Sequence, residues 1–502
     1  MSDDISRQKL WLGIDVGTTA VKAAAYSADG VCRAFSDAPS QVAATRAGHS
    51  EQDMDGVCNS VFAAIRDVAS QVDADMIQSV GIAAQGDGFW AIDAHGKPAR
   101  NAVLWNDTRA STVLSALSQK DSAKIARACH TSIWPGTSGA IYSWLKQFAP
   151  EDTGRVEKVM HCAGWIGFNL TGKAAVDFSD ASIPFLDIKT RVYSSAAIRA
   201  LRAEDLQHKL LAPQSAETLL GSVTNEAAAH TGLRVGTAVS VGTLDLSAMI
   251  VGMGMDQPGD TMMILGTTAV VNILTNNITP SDHPVGATVL HANGKIFTRV
   301  LAPTTGAAAF DWFCGLHPQT LGGETSAEIA GKLNALARNV PPGANGVTFL
   351  PHLNGERAPF VAPEASGAFF GLRAVNTKAD MGRAVMEGTA FSLRHCYIAE
   401  RGHLPKMPIR LTGGGSKNAL WCQIIADIMQ TPIEVTAASD HGLWGAACLG
   451  AAARSQSSAC TLARRHERTT TYSPNRENAA LYDAAFETYL TLSQACQALW
   501  VQ

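Results

Sequence analysis

The chain carries the same short grammar twice, and this repeat limits its fold more than any other feature. Near the start, the apolar run Leu10–Asp15 passes through Gly17-Thr18-Thr19 into a second run, Val21–Tyr26, which ends at the turn Ser27-Ala28-Asp29-Gly30. About 250 residues later, Thr261–Leu265, Gly266-Thr267-Thr268 and Val270–Leu274 repeat the pattern. Two β-runs joined by a Gly/Thr turn read as a hairpin. A tripeptide recurs by chance far more readily than a whole strand–turn–strand setting. The repeat therefore predicts two related domains, each giving one phosphate-facing hairpin to a shared cleft. The junction is expected around Gly252–Gly259, dividing 1–252 from 253–502, with no low-complexity linker between the halves.

The stretches between these hairpins fit an α/β fold. Asp55–Gln71 has helical apolar spacing (Val57, Val61, Ile65, Val68), and Val80–Ala84 is a strand running into Gln85-Gly86-Asp87-Gly88. A chain of 502 residues is long enough for several domains. With 46% apolar and 17% charged residues it is not a disordered tail protein. A net charge of −4, from 40 basic and 44 acidic side chains, gives no field that would draw it to nucleic acid or a lipid surface. The segment MSDDISRQKLWLGIDV has no apolar core of a signal peptide, and no uncharged run approaches the ~20 residues that span a bilayer. The ten cysteines are scattered, without a CxxC pair, and read as reduced, mostly buried thiols of a cytoplasmic protein. His161 and Cys162, and the tryptophans at 134, 144, 165, 312, 421 and 444, read as packing residues. The four arginines in 454–468, with Arg464 next to Arg465, read as a solvated face.

Several segments could carry chemistry. In Gly13-Ile14-Asp15-Val16-Gly17-Thr18-Thr19, with Lys22 just beyond, backbone N–H groups and Thr hydroxyls can converge on an anion. Asp15 at the strand end could hold a hydrated Mg²⁺. An ordinary hairpin turn explains the same residues. Gly413-Gly414-Gly415 before Asn418 and the helical run Ala419–Met429 would let a phosphate or flat ligand lie against backbone, with the Asn418 amide offered to a base or ribose. It could also be a strand-to-helix turn that needs glycine. Asp245, between an apolar strand and a helix, is either an N-cap or a general base that takes a hydroxyl proton. Gln85, Asp87, Trp105 and Asp107 form a polar cluster with an indole, suited to a polyhydroxylated ligand. A half-buried Trp beside a turn is the plainer account.

Taken together and in order, LGIDVGTTAVKAAAYSADG, GIAAQGDGFW, NAVLWNDTRA, VGTLDLSAMIVG, MILGTTAVV, FLPHLNGERAPF and RLTGGGSKNALWCQIIADIMQTPIEV resemble the FGGY carbohydrate kinases of the actin-like ATPase superfamily. The resemblance runs from about residue 10 to 453, and Gly413 to Pro432 is its most specific block. It implies an ATP-dependent kinase built of two ribonuclease H-like domains with a cleft between them. It also implies a small sugar or polyol whose hydroxyl receives the γ-phosphoryl group. Asp15, Thr18, Thr19 and Lys22 would lie near the phosphates and Mg²⁺, and Gly266, Thr267 and Thr268 near the γ-phosphate. Gly413, Gly414, Gly415 and Asn418 would hold adenosine. Asp245 matches the family's base; Asp87, Trp105 and Asp107 match positions that contact sugar, and Trp134 lies where the family often contacts substrate.

The chain departs from the family pattern in places. The base sits in Thr243-Leu244-Asp245-Leu246 rather than Gly-Asp-Asn or Gly-Asp-Gln, Gly86-Asp87-Gly88 replaces Met-His or Arg-Glu after Gln85, and Ile141 stands where a Lys normally precedes Trp144. These departures, with HCAGWIGFNLTG at 161–172, are closer to erythritol and L-xylulose kinases and point to a four- or five-carbon polyol or ketose. D-xylulose, ribulose and glycerol stay as alternatives within the family, and an actin-like nucleotide-binding module or a silent sugar-binding regulator outside it. The resemblance points to a homodimer.

Overall fold

The computed structural model describes residues 9–43, 46–316, 325–437, 440–455, 457–464 and 469–500. The chain forms two compact units, neither contiguous in sequence: 1–257 with 275–298 and 440–466, and 258–274 with 299–439 and 467–502.

In the first unit the strands lie side by side in the order Leu219–Ser222, Ala238–Ser240, Ile77–Ala84, Leu10–Val16, Ala20–Ser27, Cys32–Pro39. The expected hairpin is present, with Leu10–Val16 antiparallel to Ala20–Ser27 and Asp15 opposite Lys22. On its other side Leu10–Val16 runs parallel to Ile77–Ala84, which also pairs in parallel with the short strand Thr243–Leu244. Leu12, Ile14, Val80 and Ile82 are fully buried, as central strands covered on both faces require. The helix Met54–Gln71, capped by Asp53, buries Val57, Val61, Ile65 and Val68, the stripe its spacing predicts.

The helix His441–Ala452 also packs in this unit, flush against the two central strands. A Cβ on Gly13 would come 2.0 Å from the Leu443 carbonyl oxygen, and one on Gly81 1.7 Å from that of Ala446. Only glycine permits so close an approach of helix to sheet. Trp444, fully buried, packs on Trp11 and Tyr26.

The second unit repeats the plan. Ala269–Thr275 is antiparallel to Thr261–Leu265, which runs parallel to Ile409–Thr412. Ile409–Thr412 in turn runs parallel to Ile433–Thr436, and Thr469–Tyr472 closes that edge antiparallel. Hairpin, parallel, parallel, antiparallel edge is the order in both units, so the duplicated grammar does mark two related domains. The edges differ in connection: Leu219–Ser222 precedes its neighbour in the chain, whereas Thr469–Tyr472 follows its own.

None of the ten cysteines is in a disulfide, and eight of them are buried. Among the described residues no helix is long and apolar enough to cross a membrane. Trp165, Trp421 and Trp444 are core residues as expected, but Trp312 is 38% exposed and stacks on Phe349 at the edge of the core. Of the arginine run, Arg454 and Arg464 are exposed, Arg464 pairing with Asp256, while Arg465 and Arg468 lie outside the described residues.

Candidate active site

In the first unit the ends of the parallel strands deliver the acidic residues. Asp15, next to last in its strand, lies beside Ala83, and Thr243–Leu244, paired with Ala83–Ala84, leads straight into the helix Asp245–Gly252. Asp245 is the first residue of that helix and not its cap; the cap position belongs to Leu244, with no side-chain capping bond. Asp245 thus sits one residue past the cap position. Its Oδ1 accepts the Leu246 N–H at 2.6 Å. Burial, with the charge of Asp15 added, pushes the Asp245 carboxyl up to about 7. Asp15 is itself raised by burial, against the pull of Lys22.

Asp87 joins this cluster from the loop after Ile77–Ala84, on a left-handed backbone (φ 55°), and its carboxyl is raised to about 7 by burial and then by Asp245. Two further residues were not singled out from the sequence for the site. Asp180 lies in the short helix Phe178–Ala181 and is raised well above the carboxylate range by burial, then by Asp177, Asp87 and Asp245. His161, expected only to pack, is buried but also belongs here. Its ring donates to the Asp87 backbone, and its Nδ1, without a partner, lies 3.9 Å from the equally unpartnered Asp180 Oδ1. Burial holds His161 neutral, down to about 4. The only sequence signal for Asp180 was the DFSDAS run. There Asp177 caps the helix and accepts from Thr243 Oγ1 at 2.7 Å, tying it to the strand that presents Asp245.

The other expected acceptor-side residues converge to different degrees. Gln85 is buried and donates to Gln52 Oε1 at 2.7 Å; Gln52 in turn donates to the Thr18 carbonyl at 3.1 Å, joining that loop to the first Gly/Thr turn. Trp105 is 45% exposed, and a Cβ on Gly136 would come 1.7 Å from its carbonyl oxygen, so the Trp134–Thr137 turn lies against it. The Gly136 carbonyl also accepts the Gly88 N–H at 2.9 Å, which brings Trp134 and Trp105 beside the Asp87 loop. Asp107 is engaged within the protein: it accepts from the Ser50 N–H at 2.7 Å and pairs with Arg109, whose guanidinium lies over Trp144. Thr19 and Lys22 are exposed and Thr18 half-buried at the hairpin turn.

The second unit brings its glycine turns together. Thr267 and Thr268 are exposed at the tip of the repeated hairpin. Gly413, at φ 93°, has room for no Cβ, which would fall 2.8 Å from the Leu265 carbonyl carbon at that hairpin's base. Gly414–Lys417 forms one 3₁₀ turn, and Asn418 caps the helix Ala419–Met429, accepting from the Leu420 and Trp421 N–H groups while its Nδ2 donates to Asn334. The Asn418 side chain is thus engaged in capping, and the exposed Gly414 and half-buried Gly413 leave backbone open beside it.

Twin α/β units of this topology, each with a Gly/Thr hairpin, have the actin-like ATPase fold. The profile for the N-terminal domain of the FGGY family of carbohydrate kinases matches residues 10–252, and that for its C-terminal domain matches 261–454. The chain belongs to this family and is a carbohydrate kinase, with ATP as the substrate the family implies. It is 28% identical to a probable L-xylulose kinase of Pasteurella multocida over 97% of this chain and 99% of the relative. An erythritol kinase of Brucella abortus is 27% identical, over 88% of this chain and 87% of its own. A crystal structure described as a xyloylose kinase from Brucella ovis superimposes with a TM-score of 0.88 at 25% identity, covering 98% of this chain and 100% of that one.

Proposed function

We propose that this kinase transfers the γ-phosphoryl group of ATP to a hydroxyl of a four- or five-carbon polyol or ketose, erythritol and L-xylulose being favoured, with Asp245 as general base. One observation carries the reading: a half-buried carboxyl at the start of a helix, beside Asp15, brought up to about 7 by desolvation, where a base for neutral pH is best poised. Its Oδ1 is fixed by the Leu246 N–H, which leaves Oδ2 for the proton of the attacking hydroxyl. Gln85, Asp87, Trp105 and Trp134 would line the acceptor, with Asp107 holding the Trp105 loop in place through Arg109 and Ser50. On the nucleotide side, Thr18, Thr19, Lys22, Gly266, Thr267 and Thr268 would face the phosphates, and Gly413, Gly414, Gly415 and Asn418 the adenosine.

Asp15 fits Mg²⁺ held mainly through its own waters: a single carboxylate at a strand end, with no cage of three acidic, His or Cys ligands among the described residues. Bound there, the ion would neutralise charge on the β- and γ-phosphates. Asp245→Asn is expected to keep ATP affinity and to lower acceptor-dependent ADP release by roughly 10²–10⁴-fold. Release near the wild-type rate would remove Asp245 from the mechanism. A coupled assay over neutral polyols, ketoses and aldonates identifies the acceptor. ADP release without any acceptor would favour a nucleotide-driven module instead. By family analogy the kinase is a homodimer, which sedimentation would check.

A further inference from the structure

The second Gly/Thr turn is held from behind by a loop of its own unit. The Ala269 N–H donates to the Pro303 carbonyl (3.3 Å), the Gly306 N–H to that of Thr267 (2.9 Å), and the Ala307 N–H to that of Gly266 (2.6 Å). Residues 302–307 therefore grip the turn by its main chain, leaving the Thr267 and Thr268 side chains exposed. The fit is close: a Cβ on Gly306 would fall 2.4 Å from the Thr268 carbonyl carbon and 2.6 Å from the Gly266 oxygen.

That loop is in turn fixed by one buried carboxylate. Glu356, 2% exposed, accepts the Thr304 N–H at 3.0 Å and the Arg357 N–H at 2.9 Å on Oε1. Its Oε2 meets His352 Nδ1 at 2.8 Å. Arg357 Nε reaches back to the Ala302 carbonyl at 2.7 Å, so Glu356 and Arg357 clamp both ends of 302–304. His352 is itself fully buried and packs on Phe360 and Trp500. Glu356, itself buried, is the shared acceptor of both amides, and losing it would leave them without that partner.

We propose that Glu356 is a positioning residue for the second phosphate turn, acting through the main chain of 302–307 and touching no ligand itself. The proposal rests on the reading of Gly266-Thr267-Thr268 as the γ-phosphate turn. Its signature is selective: disturbing Glu356 weakens recognition of the γ-phosphate and spares the rest of the nucleotide.

The test is calorimetric titration of the full-length chain with Mg²⁺, comparing ADP with a non-hydrolysable ATP analogue. Glu356→Ala is expected to lower analogue affinity tenfold or more while ADP affinity stays within threefold of wild type. Glu356→Gln keeps an amide oxygen for the Thr304 and Arg357 N–H groups, and should restore both affinities to within threefold. Gly306→Ala leaves Glu356 intact but pushes on Thr268, and should reproduce the selective loss; it carries the test if Glu356→Ala does not fold. Equal losses of ADP and analogue, or unchanged analogue affinity with only a lower melting temperature, would overturn the proposal. Wild-type protein that binds neither ADP nor the analogue would instead overturn the reading on which it rests.

Discussion

Asp245 and Asp87 share one physical problem: each is a half-buried, largely desolvated carboxyl close to other carboxyls, and each is raised to about 7. In the folded chain they hold protons between about 3.8 and about 7 that the unfolded chain releases. Their contribution to stability is full below the unfolded value and is lost as pH rises through about 7. Asp87→Asn should thus raise the melting temperature at pH 8 and gain little at pH 4, measured by a thermal melt at each pH. Ionised Asp245 is the active form, so kcat/KM for the acceptor should climb with pH around an apparent value near 7. The climb should vanish in Asp245→Asn. His161 and His395 run the other way. Burial lowers both to about 4, so stability is full above about 6.5 and falls as pH drops toward 4. Asp87→Asn removes only the loss at high pH and leaves this acid limb in place.

At the scale of elements, the helix His441–Ala452 is the one most exposed to a small change. Its backbone lies on the two central strands through Gly13 and Gly81, and it meets the helix Asp245–Gly252 through Gly445, where a Cβ would fall 1.9 Å from the Ala248 carbonyl oxygen. Gly81→Ala puts a methyl group against main chain that cannot give by a rotamer change, and overpacking of this kind costs about 1–3 kcal/mol. Urea unfolding should show a lower midpoint for Gly81→Ala, while Gly172→Ala, at a helix end where no atom lies within 4 Å, should cost less and only through its left-handed backbone. Equal costs at both sites would mean that the helix does not bear on the sheet as described. The same element lies beside Asp15, whose Oδ2 is 3.6 Å from where a Gly442 Cβ would be.

Over the whole molecule no disulfide contributes, since none of the ten cysteines is paired with another. A reducing agent should leave the melting temperature unchanged, and exposed Cys32 should be the first thiol to react with a probe. Much of this organisation is legible in the sequence. Leu10–Val16, Ala20–Ser27 and their counterparts at 261–275 announced themselves because short apolar runs around a Gly/Thr turn are local signals. So did Val57, Val61, Ile65 and Val68, whose period is set by the helix itself. Local pattern could not decide Asp245, where cap and base need the same residue in the same place; only the helix geometry made Leu244 the cap. Nor could it find Asp180 and His161, which meet through folds of the chain that bring 161, 180 and 87 together. Sequence determined the elements, the duplication and the family, because these depend on periodicity and neighbours along the chain. Tertiary structure alone decided which carboxyls share a desolvated space, and that His441–Ala452 seats on the first unit's sheet, because burial and close approach arise only once distant segments pack.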